Sequence, residues 1–397
     1  MITVEDATHR ILSHITPLET ENIPLSTALG RYLAEDIKAL RSQPPSDVSA
    51  MDGYALRYQD LEASTQLRLA GESAAGHGYD GVVQQGECIR IFTGAPVPSG
   101  ADTVIIQENT IKEDENTICF TDIGSLGRNI RLMGGDFNEG DVLCHKGRQM
   151  NALDIAVIGA GNHSHINVVR KPRVAILASG DELVPPGSAK HATDIIAVNT
   201  DMVSHMLQVE GADVIDLGVT KDNAEAIDTA VKACPKVDLF ITIGGASVGD
   251  YDLIQPVLKN MGLELDFWKI AMQPGKPLIF GDFKGTPFLG LPGNPVSAYV
   301  TAFLYALPIV RAYQGNKSPT PPTITAKLEH DLAENGTRQR YLRAQLCEDG
   351  DGQITVNSNI IQDSAALVSM ARSNALIICP PNMPAQQAGV TIQIHRL

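Results

Sequence analysis

Between Arg173 and Val310 short apolar runs alternate with helical stretches, and this alternation limits the segment to few architectures. Val174–Ala178, Val214–Leu217, Leu239–Ile243 and Phe288–Leu291 are too short for helices and are rich in Val, Ile and Leu. Between them, Asn199 is placed to cap a helix running to about Val209 and ending at Gly211. A second helix is expected from about Ala224 to Cys234, and Ser297–Val310 forms a long apolar one. Strands that alternate with helices imply a parallel sheet covered on both faces.

The remainder of the chain has a different character. Thr3 and Asp6 resemble a capping box ahead of helical spacing at Val4, Ala7, Ile11, Leu12 and Ile15, and a second short helix is expected from Ser26 to Gly30. From Arg41 to about Gly140 the chain is glycine-rich, with β-type runs such as Ile89–Thr93 and Thr103–Gln107; Asn151 then caps the apolar stretch Ala152–Gly161. Beyond the stiff segment Ser318–Pro322, alternation returns at Thr323–Leu328, Tyr341–Leu346, Ile354–Val356 and Val390–Ile394, with a hairpin signal at Asp349–Gly352. The expected fold is therefore multi-domain, α/β plus β. It comprises a helical linking domain (1–40 with 141–170), an inserted mostly β domain (41–140), a parallel α/β domain (171–317) and a small C-terminal all-β, barrel-like domain (318–397).

The net charge of −15 removes any general attraction to nucleic acid or anionic lipid. The N-terminal Met-Ile-Thr-Val-Glu-Asp carries no basic stretch before an apolar run, and no run reaches the roughly 18 apolar residues that a spanning helix needs. A cytoplasmic protein without a membrane or nucleic-acid partner is expected. The six cysteines are too far apart in sequence for zinc-type pairs and read as reduced thiols.

Ligands of parallel α/β sheets bind beyond the carboxyl ends of the strands. Four loops there are unusual: Ser179–Leu183, Thr220–Asp222, Gly244–Asp252 and Pro292–Pro295. In the third, the glycines Gly244, Gly245 and Gly249, with Ser247, allow successive N–H groups to form an anion nest. Asp250 and Asp252 beside such a nest would repel a phosphate unless Mg²⁺ lay between them. The alternative is a sharp turn followed by helix-capping acids, and the residues alone leave both readings open. In the fourth loop Asn294 is placed to cap a helix with Pro295 in its first turn, and Asp181 or Glu182 of the first loop equally suits a cap. Lys269 and Lys276 flank the Pro274-Gly275 turn, where a rigid backbone favours anion binding. Outside this domain, Ser49–Ala55 surrounds Asp52 with apolar residues, Phe92–Pro98 is a rigid turn carrying Thr93, and Arg128–Arg131 precedes Gly134-Gly-Asp136. His163 and His165 lack a third metal ligand nearby and read as solvent-facing.

Six strings in order resemble the molybdopterin molybdenumtransferase family, whose module also forms the E domain of gephyrin. They are Ser49–Ala55, Thr93–Pro98, Ser179–Leu183, Gly244–Asp252, Pro274–Pro277 and Leu291–Ala298. The resemblance implies an α/β domain of the molybdopterin-binding type, an elongated homodimer and Mg²⁺-dependent insertion of molybdate into adenylylated molybdopterin with release of AMP. Partners would be a second copy, the molybdopterin adenylyltransferase and the enzymes that receive the cofactor. By the resemblance, Asp222 and Asp252 act around the metal and nucleotide, with Glu182 nearby. Lys269 and Lys276 hold anionic groups, and Asp52, Thr93 and Asp136 reach the partner's site. Gly244, Gly245, Ser247, Gly249 and Asp250 cradle the ligand, Pro292 and Pro295 shape the fourth loop, and Arg338, Arg343 and Ser364 contact the oxyanion. Gln273 departs from the pattern, because many members carry a lysine or arginine there.

Overall fold

The computed structural model describes residues 1–245, 253–348, 350, 352–358 and 361–397. The chain packs as two units, one of residues 1–21, 30–34 and 168–397 and the other of residues 22–29 and 35–167.

In the first unit six strands form one sheet, in the order Asp213–Thr220, Arg173–Ser179, Leu239–Ile243, Thr286–Leu291, Ile279–Phe283, Leu263–Trp268. The first four are mutually parallel, but the last two join antiparallel, so the sheet is mixed rather than wholly parallel. The two-residue link Lys284-Gly285 between Phe283 and Thr286 is a tight turn, with Gly285 N–H donating to Asp282 Oδ1 at 2.6 Å, and a tight turn reverses strand direction. Side chains alternate between the sheet's faces. Val174, Ile176, Ile241 and Leu289 pack with Val203 and Leu207 and with the long helix from Pro295. Ala175, Leu177, Phe240 and Phe288 pack with Ile227, Val231 and Leu258 on the other face.

The helix from Pro295 to Tyr313 is apolar and long enough to cross a bilayer by composition, contrary to the expectation that no stretch is; it is instead mostly buried in this core. Its middle, Ala302–Ala306, is wound as a π-helix. The helix Asn199–Val209 begins one residue earlier than expected: Val198 holds the cap position, and Asn199 turns its amide to Gly293 O at 2.6 Å. Helix Val4–Ser13 has Thr3 as its cap, its hydroxyl accepting from Asp6 N–H at 3.0 Å. The C-terminal strands Gln339–Glu348, Ile354–Asn357, Ile324–Leu328, Thr391–Arg396 and Ala375–Cys379 pair in that order, and the last returns to the first. This closes a five-stranded barrel around Leu328, Leu342, Val356, Ile377 and Ile394.

The second unit holds a six-stranded mixed sheet in the order Thr103–Ile106, Gly53–Leu56, Glu87–Ile91, Gln66–Ser73, Thr117–Phe120, Thr110–Lys112. Its core contains Leu56, Leu67, Cys88, Ile105 and Phe120. Helix Ala152–Ala160 is closed at its start by a full capping box between Asn151 and Asp154. The expected helix after Ser26 is only a single 3-10 turn, Leu25–Thr27.

Candidate active site

The four loops at the carboxyl edge converge. A cleft of about 570 Å³ is lined by Glu182 from the first loop, Asp222 from the second, Gly244 and Gly245 from the third, and Pro292 and Pro295 from the fourth. Ser179 Oγ donates to Asp222 Oδ1, and Asp222 N–H donates to Asp181 Oδ1 at 3.2 Å, so the second loop is held against the first. Neither Asp181 nor Glu182 caps a helix, because the chain continues into the short strand Leu183–Val184. Gly244 and Gly245 both take positive φ, +85° and +66°, and a Cβ on Gly245 would lie 2.7 Å from the Ile254 side chain; this corner admits only glycine. Ser247, Gly249, Asp250 and Asp252 lie outside the described residues.

Asn294 occupies the cap position of its helix without capping it. Its amide instead donates to Ser364 Oγ at 3.0 Å, while Val296 N–H donates to Ser364 O at 3.1 Å. Ser364 thus ties the C-terminal part of the chain to the fourth loop.

A second cleft of about 430 Å³ adjoins the first, sharing Pro277 and Ser297 with it. Lys276, Arg338, Arg340 and Arg343 line it, opposed by the carboxylate of Asp363. Arg343 is 1% exposed, and one guanidinium nitrogen donates to Ile361 O at 2.6 Å and Asp363 O at 2.9 Å, while its Nε has no partner. Burial, partly offset by Asp363, lowers its pKa. The Gln362 amide accepts from Arg343 N–H at 3.0 Å and donates to Arg343 O at 2.8 Å, clamping the backbone. Arg338 donates to Gln273 Oε1 at 3.2 Å. Gly275, at φ +106°, leaves no room for a Cβ beside Thr301. Arg343, Lys276, Arg338 and Arg340 give this cleft charge and N–H donors of the kind that could hold an oxyanion.

Lys269 is placed elsewhere: its ammonium sits 3.8 Å from the centroid of the Trp268 ring, and it lines neither cleft. In the second unit, Asp52 and Thr93 do meet. Asp52 Oδ1 accepts from Thr93 N–H at 2.7 Å and from its hydroxyl at 2.8 Å, and these bonds, the backbone one first, hold its carboxyl below the ordinary range. Asp136 is exposed on the neighbouring segment, which is fastened to the same region by Met133 N–H on Asp47 Oδ1 and Asp136 N–H on Gln43 O. His163 Nε2 rests against Lys38 O, and among the described residues no three His, Cys, Asp or Glu groups gather as a metal cluster. Sequence reasoning missed Arg340 and Gln362, and named Ser179 and Ser297 only as parts of their strings. Three arginines within Arg338–Arg343 were the available signal for the first.

An α/β sheet with a cleft at its carboxyl edge, a C-terminal barrel lending arginines to an adjoining cleft and a separate β unit place the chain among multidomain proteins built on an α/β ligand-binding domain. Residues 2–160 match the MoeA N-terminal region (domain I and II), 175–312 the probable molybdopterin binding domain, and 325–397 the MoeA C-terminal region (domain IV). The chain is 35% identical to the molybdopterin molybdenumtransferase of Haemophilus influenzae, over 100% of this chain and 98% of that one. It is 34% identical to that of Nostoc sp., over 96% and 90%. It superposes on the molybdopterin biosynthesis MoeA protein from Pyrococcus horikoshii with a TM-score of 0.84 at 27% identity, covering 100% and 99% of the two chains. The chain belongs to the molybdopterin molybdenumtransferase family of enzymes.

Proposed function

We propose that the chain inserts molybdenum into molybdopterin, taking adenylylated molybdopterin and molybdate, cleaving the phosphoanhydride and releasing AMP. The observation that carries this reading is the adjacency of two unlike clefts. The cationic one, with Lys276, Arg338, Arg340 and Arg343, suits a tetrahedral oxyanion, and it opens through Pro277 and Ser297 onto the cleft that holds Asp222, Glu182 and the glycine corner. Molybdate would thereby sit beside the pterin phosphate. An adenylylating enzyme or a pyrophosphatase has no use for the cationic cleft, which is built largely from residues 338–364, beyond the α/β sheet.

The donor set of the central cleft fits Mg²⁺, since Asp222 and Glu182 offer hard oxygen donors and Mg²⁺ takes one or two carboxylates with phosphate oxygens. Asp222, with Asp252, would hold it; the ion supplies charge neutralisation at the phosphoanhydride. Ser179 and Asp181 hold the loop that carries Asp222, and Gly244 and Gly245 let the backbone approach the phosphate. A homodimer in which Asp52, Thr93 and Asp136 of one chain serve the partner's site is part of this reading, with the adenylyltransferase upstream and cofactor-receiving enzymes downstream. The test is incubation with adenylylated molybdopterin, Mg²⁺ and molybdate, following AMP release and active cofactor together. AMP release that does not depend on molybdate and yields no active cofactor would sink the proposal.

A further inference from the structure

Within the second unit, Arg90 lies on the strand Glu87–Ile91, directly opposite Tyr54 of the strand Gly53–Leu56 and two residues before Phe92. Residues opposite one another, or two apart along a strand, share a face of the sheet. The guanidinium carbon accordingly sits 5.2 Å from the centroid of the Tyr54 ring and 4.8 Å from that of Phe92. Cation–π attraction to two rings holds this half-buried side chain in place. Its hydrogen-bond partners are neutral. One terminal nitrogen donates to Gly53 O at 3.0 Å and the other to Gln107 Oε1 at 2.6 Å, while Gln107 N–H donates to Asp52 O at 3.1 Å. Both bonds therefore end on the Asp52-Gly53 turn, one directly and one through Gln107. Gly53 is fixed a second time, because a Cβ there would run into Ile105 O, so only glycine lets the two strands approach.

The Asp52 carboxylate itself is left half-used. Oδ1 takes both bonds from Thr93, and among the described residues none falls on Oδ2. Arg90 likewise forms no ion pair among the described residues, although its charge reaches the Asp52 carboxyl and adds to the effect of the Thr93 bonds on it. A direct ion pair would have consumed the carboxylate; a cation held nearby by neutral groups does not. We propose that Arg90 is a positioning residue for Asp52, clamping the turn that presents the carboxylate while leaving Oδ2 free to act. That this carboxylate serves the reaction rests on the reading of the chain as a molybdenum-inserting enzyme; its placement by Arg90 does not.

The test uses the full chain and the variants Arg90→Gln, Arg90→Lys and Gln107→Ala. Two readouts are needed: titration of the Asp52 carboxyl by NMR, and AMP release from adenylylated molybdopterin with Mg²⁺ and molybdate. Arg90→Gln should raise the Asp52 pKa and lower kcat about tenfold or more, as loss of charged donors does. Its molybdate affinity should match the parent's, since the cationic cleft is built from other residues. Arg90→Lys keeps the charge but supplies an ammonium in place of the two-pronged guanidinium. Its Asp52 pKa should stay near the parent's and its kcat should lie between the other two. Gln107→Ala, at an exposed position, should lower kcat about three- to tenfold, as for one hydrogen bond. A parent-like Asp52 titration or a parent-like kcat in Arg90→Gln would overturn the inference, as would an Arg90→Lys chain no better than Arg90→Gln. If Arg90→Gln does not fold, a parent-like kcat in Gln107→Ala overturns it instead. If the parent releases no AMP, the insertion reading falls, and a raised Asp52 pKa in Arg90→Gln keeps the clamp.

Discussion

Gln273 Oε1 accepts a hydrogen bond from Arg338 at 3.2 Å, which links the turn bearing Lys276 to the arginines of the barrel. Gln273 thus orients a charge at this turn without carrying one. Lys276 follows Gly275 in a fixed turn, so its ammonium is directed at the cleft. An ammonium and an oxyanion about 4 Å apart attract by roughly 4 kcal/mol at an effective dielectric near 20. Desolvation cancels part of this, and Lys276→Ala is expected to lose about 1.5–3 kcal/mol, or about ten- to a hundredfold in molybdate affinity. Gln273→Lys removes the acceptor on Arg338 but adds a cation, and affinity should be unchanged or tighter. Titrations of molybdate at fixed ionic strength check both, and parent-like binding by Lys276→Ala would reduce that lysine to a surface charge.

Asp222 is the carboxylate that the first two loops are built to hold. Asp222→Asn keeps an acceptor for Ser179 Oγ and so should keep the fold. It should lower Mg²⁺-dependent AMP release by about a hundredfold or more, because a neutral amide is a poor ligand for a hard cation. Ser179→Ala leaves the carboxylate but not its orientation, and a smaller loss, about three- to tenfold, is expected from one hydrogen bond. Equal turnover by Asp222→Asn and the parent across a Mg²⁺ titration would remove Asp222 from the metal site.

Three of the four loops were legible because each follows a short, largely apolar run and opens on Ser, Gly or Pro; the second opens on Thr220 after a run that contains Asp216. The two strands that join antiparallel were not legible. Leu263–Trp268 alternates Leu, Glu, Leu, Asp, Phe, Trp, as an edge strand does, but its antiparallel partner is Ile279–Phe283, whose own direction is set by the turn at Lys284-Gly285 and not by the run itself. Long-range bonds were equally hidden. Asn294 looks like a helix cap by position, but Ser364, seventy residues later, takes its amide, and that pairing exists only because the barrel closes. The arginines were visible as a cluster, whereas the burial of Arg343 depends on strand pairing with Leu376.

The contact between Asp52 and Thr93 gives a test of the proposed dimer. An inactive Asp52→Ala chain mixed with an inactive Asp222→Ala chain should recover part of the activity, because hybrid dimers keep one site with neither lesion. Hybrids shown to form without recovery would mean that each site is built within one chain. The same contact predicts a titration. The carboxylate's stabilisation is present above its unfolded pKa and is lost as pH falls through its lowered value. Thr93→Val deletes the hydroxyl but keeps the stronger backbone bond, so the Asp52 pKa, followed by NMR, should rise without reaching its ordinary range.

The C-terminal barrel should carry a pH-dependent stability centred on His395. This side chain is 7% exposed, and its Nδ1 lies 3.0 Å from Pro322 O, which fixes the proton on that nitrogen. Its ring stacks on Tyr341 at 6.1 Å and meets Phe303 edge-on at 5.9 Å, so no charged group faces it from the packed rings. Burial lowers its pKa despite the opposing effect of the Pro322 carbonyl. The folded chain then binds fewer protons than the unfolded one between the lowered pKa and the ordinary value of about 6.5. Stability should therefore be undiminished above pH 6.5 and fall as pH drops through that window. Tyr341 also lines the cationic cleft, so molybdate affinity should fall over the same range if the ring pair loosens. His395→Phe forfeits the bond to Pro322 and should melt lower at pH 7.5, yet it should lose less stability than the parent between pH 6.5 and 5. Thermal melts of the two proteins across that interval decide the matter: parallel curves would mean that other groups carry the acid sensitivity.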